Sequence, residues 1–417
     1  MAQFSSKERI IARALSSMPA IKKTIKKIYI SVNAIVHRRP YRFKILDNKY
    51  SIKNIGAGDN EVFFGYYDKT CEQNGLLIYH KTNGQLTKKI PTPNQPVDII
   101  LRNIKDGNNT KIGTTFVYNW QQGARTQWLD KTQVIYNDVE GNKYVARIYN
   151  TSTGITSTVP YPVQETLPDG LYLSINYKRI MKLRPDYGYR NLPLPSDLEM
   201  KDYDSDGIWI VDCKTESGKL LHSLANIKSV QPKAIYDKCI HVVNHLMASP
   251  DGKGFIFIHR YYEGKQRHDR LMYSDFKNLY VIVDEDMVSH CHWLDDTSVI
   301  GYFRYNNKDG FYKINILTKD IKEYSNINSL GLGDGHPTVS KDYIVFDTYP
   351  DKSRMQHLFI LNKGNNEIHE IAELYHPLSY MDECRCDLHP RFSDDGKRLY
   401  FDTVYTGKRN IAYIDLV

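Results

Sequence analysis

The chain predicts an all-β fold, a single closed propeller of seven blades, and three observations predict it. From Tyr41 onward the apolar runs are short, rich in Tyr, Ile, Val and Phe, and lack helical periodicity. Seven segments repeat one pattern of turn residues, apolar strand and polar or aromatic exit. The strand-like run continues to the C-terminal residues NIAYIDLV (410–417), which are placed to close a ring against an early strand.

The seven repeats are CEQNGLLIYHK (71–81), LDKTQVIYND (129–138), LPDGLYLSINY (167–177), SPDGKGFIFIHR (249–260), LDDTSVIGYFR (294–304), SKDYIVFDTY (340–349) and SDDGKRLYFDT (393–403). Between them lie partner strands such as GIWIVDC (207–213), RLMYSD (270–275), FYKINILT (311–318) and HLFILN (357–362). Spread over residues 41–417, this allots about 54 residues to each blade, slightly above the ~40–50 of a four-stranded unit. The surplus is concentrated between 178 and 250. The irregular insert 178–206 is long enough to be a functional loop.

Residues 1–40 form a separate, basic amphipathic segment. Ile10, Ile11, Ala14, Leu15 and Met18, then Ile21, Ile25, Ile28 and Val32, follow a helical spacing broken near Ser17 and Pro19. Residues 1–39 carry nine Lys or Arg against Glu8 alone, an excess equal to the +8 of the whole chain, so the remainder is formally neutral. A nucleic-acid protein carries its basic footprint on the folded body, and nucleic acid is therefore excluded as a partner. A basic amphipathic helix suits an anionic membrane surface instead. No run approaches the ~20 apolar residues of a membrane span, and no secretion signal is evident. Six cysteines are too few for a disulfide scaffold. The expected compartment is the cytoplasm, at the inner face of its membrane where residues 1–39 engage lipid.

The candidate chemistry gathers in the later blades. HVVNHLMASPDGKGFIFIHR (241–260) reads as one hairpin around Asp251-Gly252. It carries His245, His259 and Arg260, of which the last two fall on opposite strand faces. His245 and His259 are candidate acid or base, and Arg260 and Arg270 candidate carboxylate partners. His80 leaves the first repeat as His259 leaves the fourth. Tyr187, in the insert, is a candidate sugar-stacking residue. His290 in SHCHW, Asp334 and His336 in GDGHP, and Cys386 and His389 in RCDLHP come from three successive blades. Imidazole with carboxylate or thiolate suits zinc, and imidazole with oxygen suits manganese. No P-loop, dinucleotide fingerprint or GxSxG elbow is present.

At these motifs the chain resembles the propeller-type polysaccharide lyases, namely the oligogalacturonate lyases and more loosely the ulvan lyases. It is also similar to TolB-like propellers of bacterial surface- and capsular-polysaccharide loci. NHLMASPDG carries the resemblance at His245, FIHRYY at His259, SHCHW at His290 and GDGHP at His336. The resemblance implies a divalent metal, Mn or Zn, an acidic polysaccharide or oligosaccharide partner, and β-elimination at a uronate assisted by metal or arginine. GDGHP differs from the lyase loop in offering one histidine and Asp334 where the lyases bring a glutamine and two histidines. The alternative reading is a non-catalytic propeller that binds polysaccharide or assists its assembly at the membrane.

Overall fold

The structure, a computed structural model, describes residues 19–56 and 58–416. Seven antiparallel sheets follow one another along the chain, each built on four strands that run in sequential order, except that the outer strand of the last sheet comes from the start of the chain. Blade 1 comprises Val62–Phe63, Leu76–Thr82, Val97–Asn103 and Asn109–Thr115, with Glu72–Gln73 paired beside it. The innermost strands of the next six blades are Gln127–Trp128, Glu165–Thr166, Ile240–Ala248, Val288–Trp293, Pro337–Val339 and Arg391–Phe392. Neighbouring innermost strands touch, as between blades 5 and 6 and between blades 6 and 7. The chain is a seven-bladed propeller, as the repeats predict.

Each repeat supplies the second strand of its blade. That strand packs between neighbouring blades on both faces, so its sequence is a continuous apolar run rather than an alternating one. In Phe255–Glu263 every residue through Tyr261 is buried. The preceding turn is fixed by its own side chains. Ser249 Oγ donates to Asp251 at 2.7 Å, Asp251 accepts from the Lys253 N–H, and Gly252 adopts φ +69°. Ser393, Asp395 and Gly396 repeat the device in blade 7.

Two early strands complete the ring. Lys53–Asn54 pairs with Tyr413 and Ala412 as the outer strand of blade 7, so the C-terminal run closes against an early strand. Phe43–Ile45 adds a fifth strand to blade 6 by pairing with Ala372–Leu374. Upstream lies one helix, Pro19–Val36. The more N-terminal half of the expected amphipathic segment lies outside the described residues.

The absence of helical periodicity after Tyr41 holds for the blades but not for their connections. Tyr177–Leu183 and Asp197–Lys201 occupy the blade 3 insert, and Leu224–Ser229 and Ser325–Ser329 are further short helices. With five to seven residues each they are too short for a 3.6-residue period to register, although the first three carry legible side-chain caps. Asn176 accepts from the Lys178 and Arg179 amides, and Ser196 with Glu199 forms a capping box. The buried Arg179 fastens the insert. It pairs with Asp206 at 2.5 Å and donates to the carbonyls of Met200 and His241.

The outer edge of blade 6 carries a pH-dependent contact. His357 lies opposite Glu373, 2.5 Å from Glu370 and 3.5 Å from Asp351, and Tyr41 donates to Glu373 beside the added strand. Burial opposes charge on His357, but Asp351 and Glu370 outweigh it and raise its pKa to about 9. A raised pKa contributes stability that is complete below about 6.5 and lost as pH rises through about 9, worth at most about 3 kcal/mol. Thermal melts of the wild type should therefore fall across that window, whereas His357→Gln should flatten the slope.

Candidate functional site

The first strands of the blades, and the residues just before or after them, bring the functional side chains to the channel. Tyr66 and Tyr67 follow Val62–Phe63 in blade 1. His245 lies within Ile240–Ala248 and His290 within Val288–Trp293. His336 immediately precedes Pro337–Val339, and His389 stands two residues before Arg391–Phe392. Three of these histidines depart from the regular pleat. Strand pairing breaks between Asn244 and Met247 around His245, and between Val288 and Cys291 around His290. His245 and His389 have φ of +53° and +47°, conformations that a non-glycine residue keeps only where its surroundings enforce them. Gly65, at φ +121°, is required on two grounds, since a Cβ there would also lie 2.7 Å from the Gln122 backbone.

Three of the converging groups make a metal-competent set. His336, Asp387 and His389, all buried, each offer a ligand atom within 4.8 Å of the others. His336 Nδ1 bonds the Asp347 carboxylate at 2.8 Å, and His389 Nδ1 bonds the Gly65 carbonyl at 2.6 Å. Each imidazole is thereby held by one nitrogen with Nε2 turned inward, the arrangement found in metal-ligating histidines. His336 Nε2, His389 Nε2 and Asp387 Oδ1 are buried without a hydrogen-bond partner. Burying three unpaired polar atoms together is costly unless something binds them. Burial penalises charge on Asp387, yet Arg385, His336 and His389 hold its carboxyl well below the usual range. Burial and neighbouring His336 keep His389 neutral, leaving its lone pair available. These residues fit a divalent ion.

Beside this set lies a hydrogen-bonded group on blade 5. The His290 and His336 rings are 4.0 Å apart between centroids, His290 Nδ1 lies 3.2 Å from Asp334, and Ser289 donates to Asp334 at 2.7 Å. Burial and His336 lower the His290 pKa to about 4. Burial opposes the Asp334 charge, but His290 and Ser289 hold its pKa near 2. On blade 4, His245 Nδ1 is 2.9 Å from the Tyr66 hydroxyl and the two rings stack. Burial, Arg260 and His290 keep His245 neutral.

A cavity of about 410 Å³ opens onto these groups, walled by Arg184, Arg260, Arg267 and Arg385 as well as Tyr187 and Tyr349. Arg260 is fixed by Asn244 and Asp269, each at 2.9 Å. Arg385 bonds Asp387 at 2.8 Å, and Asp186 and Tyr187 at 3.1 Å. Arg184 pairs with Asp186 while its Nη1 has no partner. A second groove of about 1110 Å³ across blade 5 shares Arg267, Ser289 and Asp334 with the first.

Of the residues expected at the site, the structure thus brings together His245, Arg260, Tyr187, His290, Asp334, His336 and His389. Four others lie elsewhere. His259 does not face the channel. It is buried against His241 at 2.9 Å and accepts from Arg270 at 2.8 Å. Arg270 is not open to substrate, because it spends its other donors on the carbonyls of Val230 and Ile227. His80 joins strands, bonding the Phe63 carbonyl and the Ala124 N–H, and burial lowers its pKa to about 4. Cys386 is not in the ligand group. Its thiol sits with Tyr380 and Val404, and burial pushes its pKa up to about 12. Neighbouring Asp387 takes the place expected of it. The Asp387–His389 pair has the same i, i+2 spacing as Asp334–His336, a signal that would have found it. Arg184 and Arg385 carried no comparable signal, since the insert and the blade 7 loop meet only in the folded chain.

Comparison with solved structures gives the fold an independent reference. Oligogalacturonate lyase from Vibrio parahaemolyticus superposes with a TM-score of 0.56 at 15% identity, covering 90% of this chain and 96% of that one. An oligogalacturonate lyase in complex with manganese gives 0.58 at 14% identity, covering 91% and 97%. The chain has their propeller fold. The propeller domain of a trilobed protease from Pyrococcus furiosus is similar at 0.50 and 10% identity, covering 85% and 94%. No family model matches this sequence, and no curated protein matches it significantly.

The ligand group can be tested directly by dialysing purified protein against manganese or zinc and measuring bound metal by elemental analysis. The wild type should retain about one ion per chain, and His336→Ala or His389→Ala should lose it. Asp347→Asn should weaken binding about 10–100-fold by loosening the His336 ring, while Cys386→Ser should bind as wild type.

Proposed function

We propose that the protein is a lyase that cleaves uronate-containing polysaccharide or oligosaccharide by β-elimination. The observation that carries this reading is the position of Tyr66. Its ring stacks on His245 and stands edge-on to His389 at 4.9 Å, so a neutral imidazole adjoins the metal-competent set, and His245 and Asp387 both line the arginine-rich cavity. The fold shared with oligogalacturonate lyases supports the same class of chemistry. The adjoining groove supports a chain of sugars over a single ring.

In this reading Arg184 meets the uronate carboxylate through its unpaired Nη1, a charge-assisted contact for which guanidinium is suited. His336, Asp387 and His389 would hold a divalent ion, which when bound would supply Lewis acidity towards that carboxylate. Neutralising the carboxylate acidifies the C5 proton, because charge developing on C5 is delocalised into it. His245, with Nδ1 engaged by Tyr66, uses Nε2 to accept the proton. The electron pair left on C5 forms the C4=C5 double bond as the C4–O4 bond breaks, and O4 departs with a proton from Tyr66 or water. Arg260 and Arg385, fixed by their own carboxylates, orient the ring, and burial together with Arg260 keeps His245 in its neutral form.

Metal-loaded protein incubated with polygalacturonate and a panel of other uronate glycans should generate the ultraviolet absorbance of a conjugated unsaturated product. His245→Ala should lower the rate about 10²–10⁴-fold while keeping the metal. His259→Ala, remote from the cavity, should keep elimination and lose stability. Metal-loaded protein that leaves the whole panel uncut would reverse the assignment in favour of a non-catalytic glycan-binding propeller.

A further inference from the structure

We propose that helix Pro19–Val36 is a membrane-docking element that presents one face to the mouth of the cavity and the other to an anionic lipid bilayer. Two independent observations define its faces. Lys26, Tyr29, Ile30 and Asn33, spaced i, i+3, i+4, i+7, line the cavity that opens onto the histidine cluster. On the remaining surface Ile25, Ile28, Val32, Ile35 and Val36 are exposed, Ile28 by 58% and Ile35 by 76%. A helix that packs on a protein body ordinarily turns its apolar stripe inward. Here the stripe points to solvent and a mixed face meets the propeller.

Charge selects what covers the stripe. The spacing 25, 28, 32, 35 would also suit pairing with a second copy, but pairing requires complementary charge along the flanks. Helix residues 19–36 contain four lysines and no acidic residue, so two copies would oppose like charges. The whole chain's net charge of +8 matches the excess carried by residues 1–39. Apolar side chains bordered by lysines fit an anionic bilayer, with the helix lying in the interface plane. Among the described residues no helix is long and apolar enough to cross a membrane, which agrees with an interfacial position. Docking would set the cavity mouth beside the lipid surface, because one short helix borders both. The inference rests on the helix alone and does not depend on the lyase reading.

The experiment is co-sedimentation of the full-length protein with vesicles of equal parts phosphatidylcholine and phosphatidylglycerol, with pure phosphatidylcholine vesicles as reference. The protein should sediment with the anionic vesicles at low salt, bind phosphatidylcholine far less, and be released as salt rises. The double variant Ile28→Asp, Val32→Asp should lose affinity about tenfold or more, with an unchanged melting temperature because both side chains are exposed. Lys27→Glu should weaken binding in the same direction. Wild-type protein that stays in the supernatant, or an Asp variant that binds as tightly as the wild type, would overturn the proposal. So would light scattering that shows a dimer dissolved by the double variant without vesicle binding, and that result would assign the stripe to a second copy.

Discussion

The arrangement of the site depends on one buried carboxylate. Asp347, on the second strand of blade 6, accepts the His336 N–H at 2.7 Å, the His336 imidazole at 2.8 Å and the His389 N–H at 3.0 Å. It thereby orients a ligand of its own blade and fixes the backbone that carries the ligand of the next. The series continues through the His389 imidazole to the Gly65 carbonyl, and from the Gly65 amide to Asp402 at 3.0 Å. Asp402 in turn pairs with Arg391 at 2.5 Å, and Arg391 donates to the His389 carbonyl. Blades 6, 7 and 1 are locked around the channel by these bonds. A buried network of this kind is most favourable when its members are satisfied; besides Arg391 Nε, it leaves unpaired the inward Nε2 atoms of His336 and His389.

The same network separates the acid–base characters of neighbouring groups. Burial opposes charge on His336, but Asp347 outweighs it and raises its pKa. His389 and His245, equally buried and close to positive charge, remain neutral. Imidazoles within one small volume therefore differ in role because their carboxylate partners differ. Asp387, held anionic largely by Arg385, supplies negative charge among the inward-facing ligand atoms. The insert of blade 3 feeds into this balance. Arg179 pins it to blade 4, and Arg184, Asp186 and Tyr187 then reach the cavity to meet Arg385 from blade 7.

The N-terminal residues serve two physical ends in succession. Lys53–Asn54 and Phe43–Ile45 complete two blades by backbone pairing, which consumes exposed strand edges that would otherwise invite association. The helix upstream adds no strand. It contributes a polar and aromatic edge to the cavity and leaves its aliphatic stripe outside.

The sequence by itself determined the architecture, because a propeller repeats one local pattern. Each second strand is buried on both faces and must be continuously apolar, and each turn before it needs Asp, Asn or Gly in fixed places. Those demands are short-range, and seven copies make them legible. It also pointed to His290, Asp334, His336 and His389, since ligand-type residues recurred in loops of three successive blades, and to His245 in the hairpin 241–260. Only the tertiary structure decided which way each side chain turned. His259 and Arg260 are adjacent on one strand, yet Arg260 reaches the cavity and His259 is sealed against His241 and Arg270. Asp387 rather than Cys386 joins the ligands because consecutive residues of that loop point to different environments, one polar and one apolar. Side-chain direction at a bulge or a positive φ follows from contacts hundreds of residues apart, such as Gly65 with His389, and no local pattern encodes it.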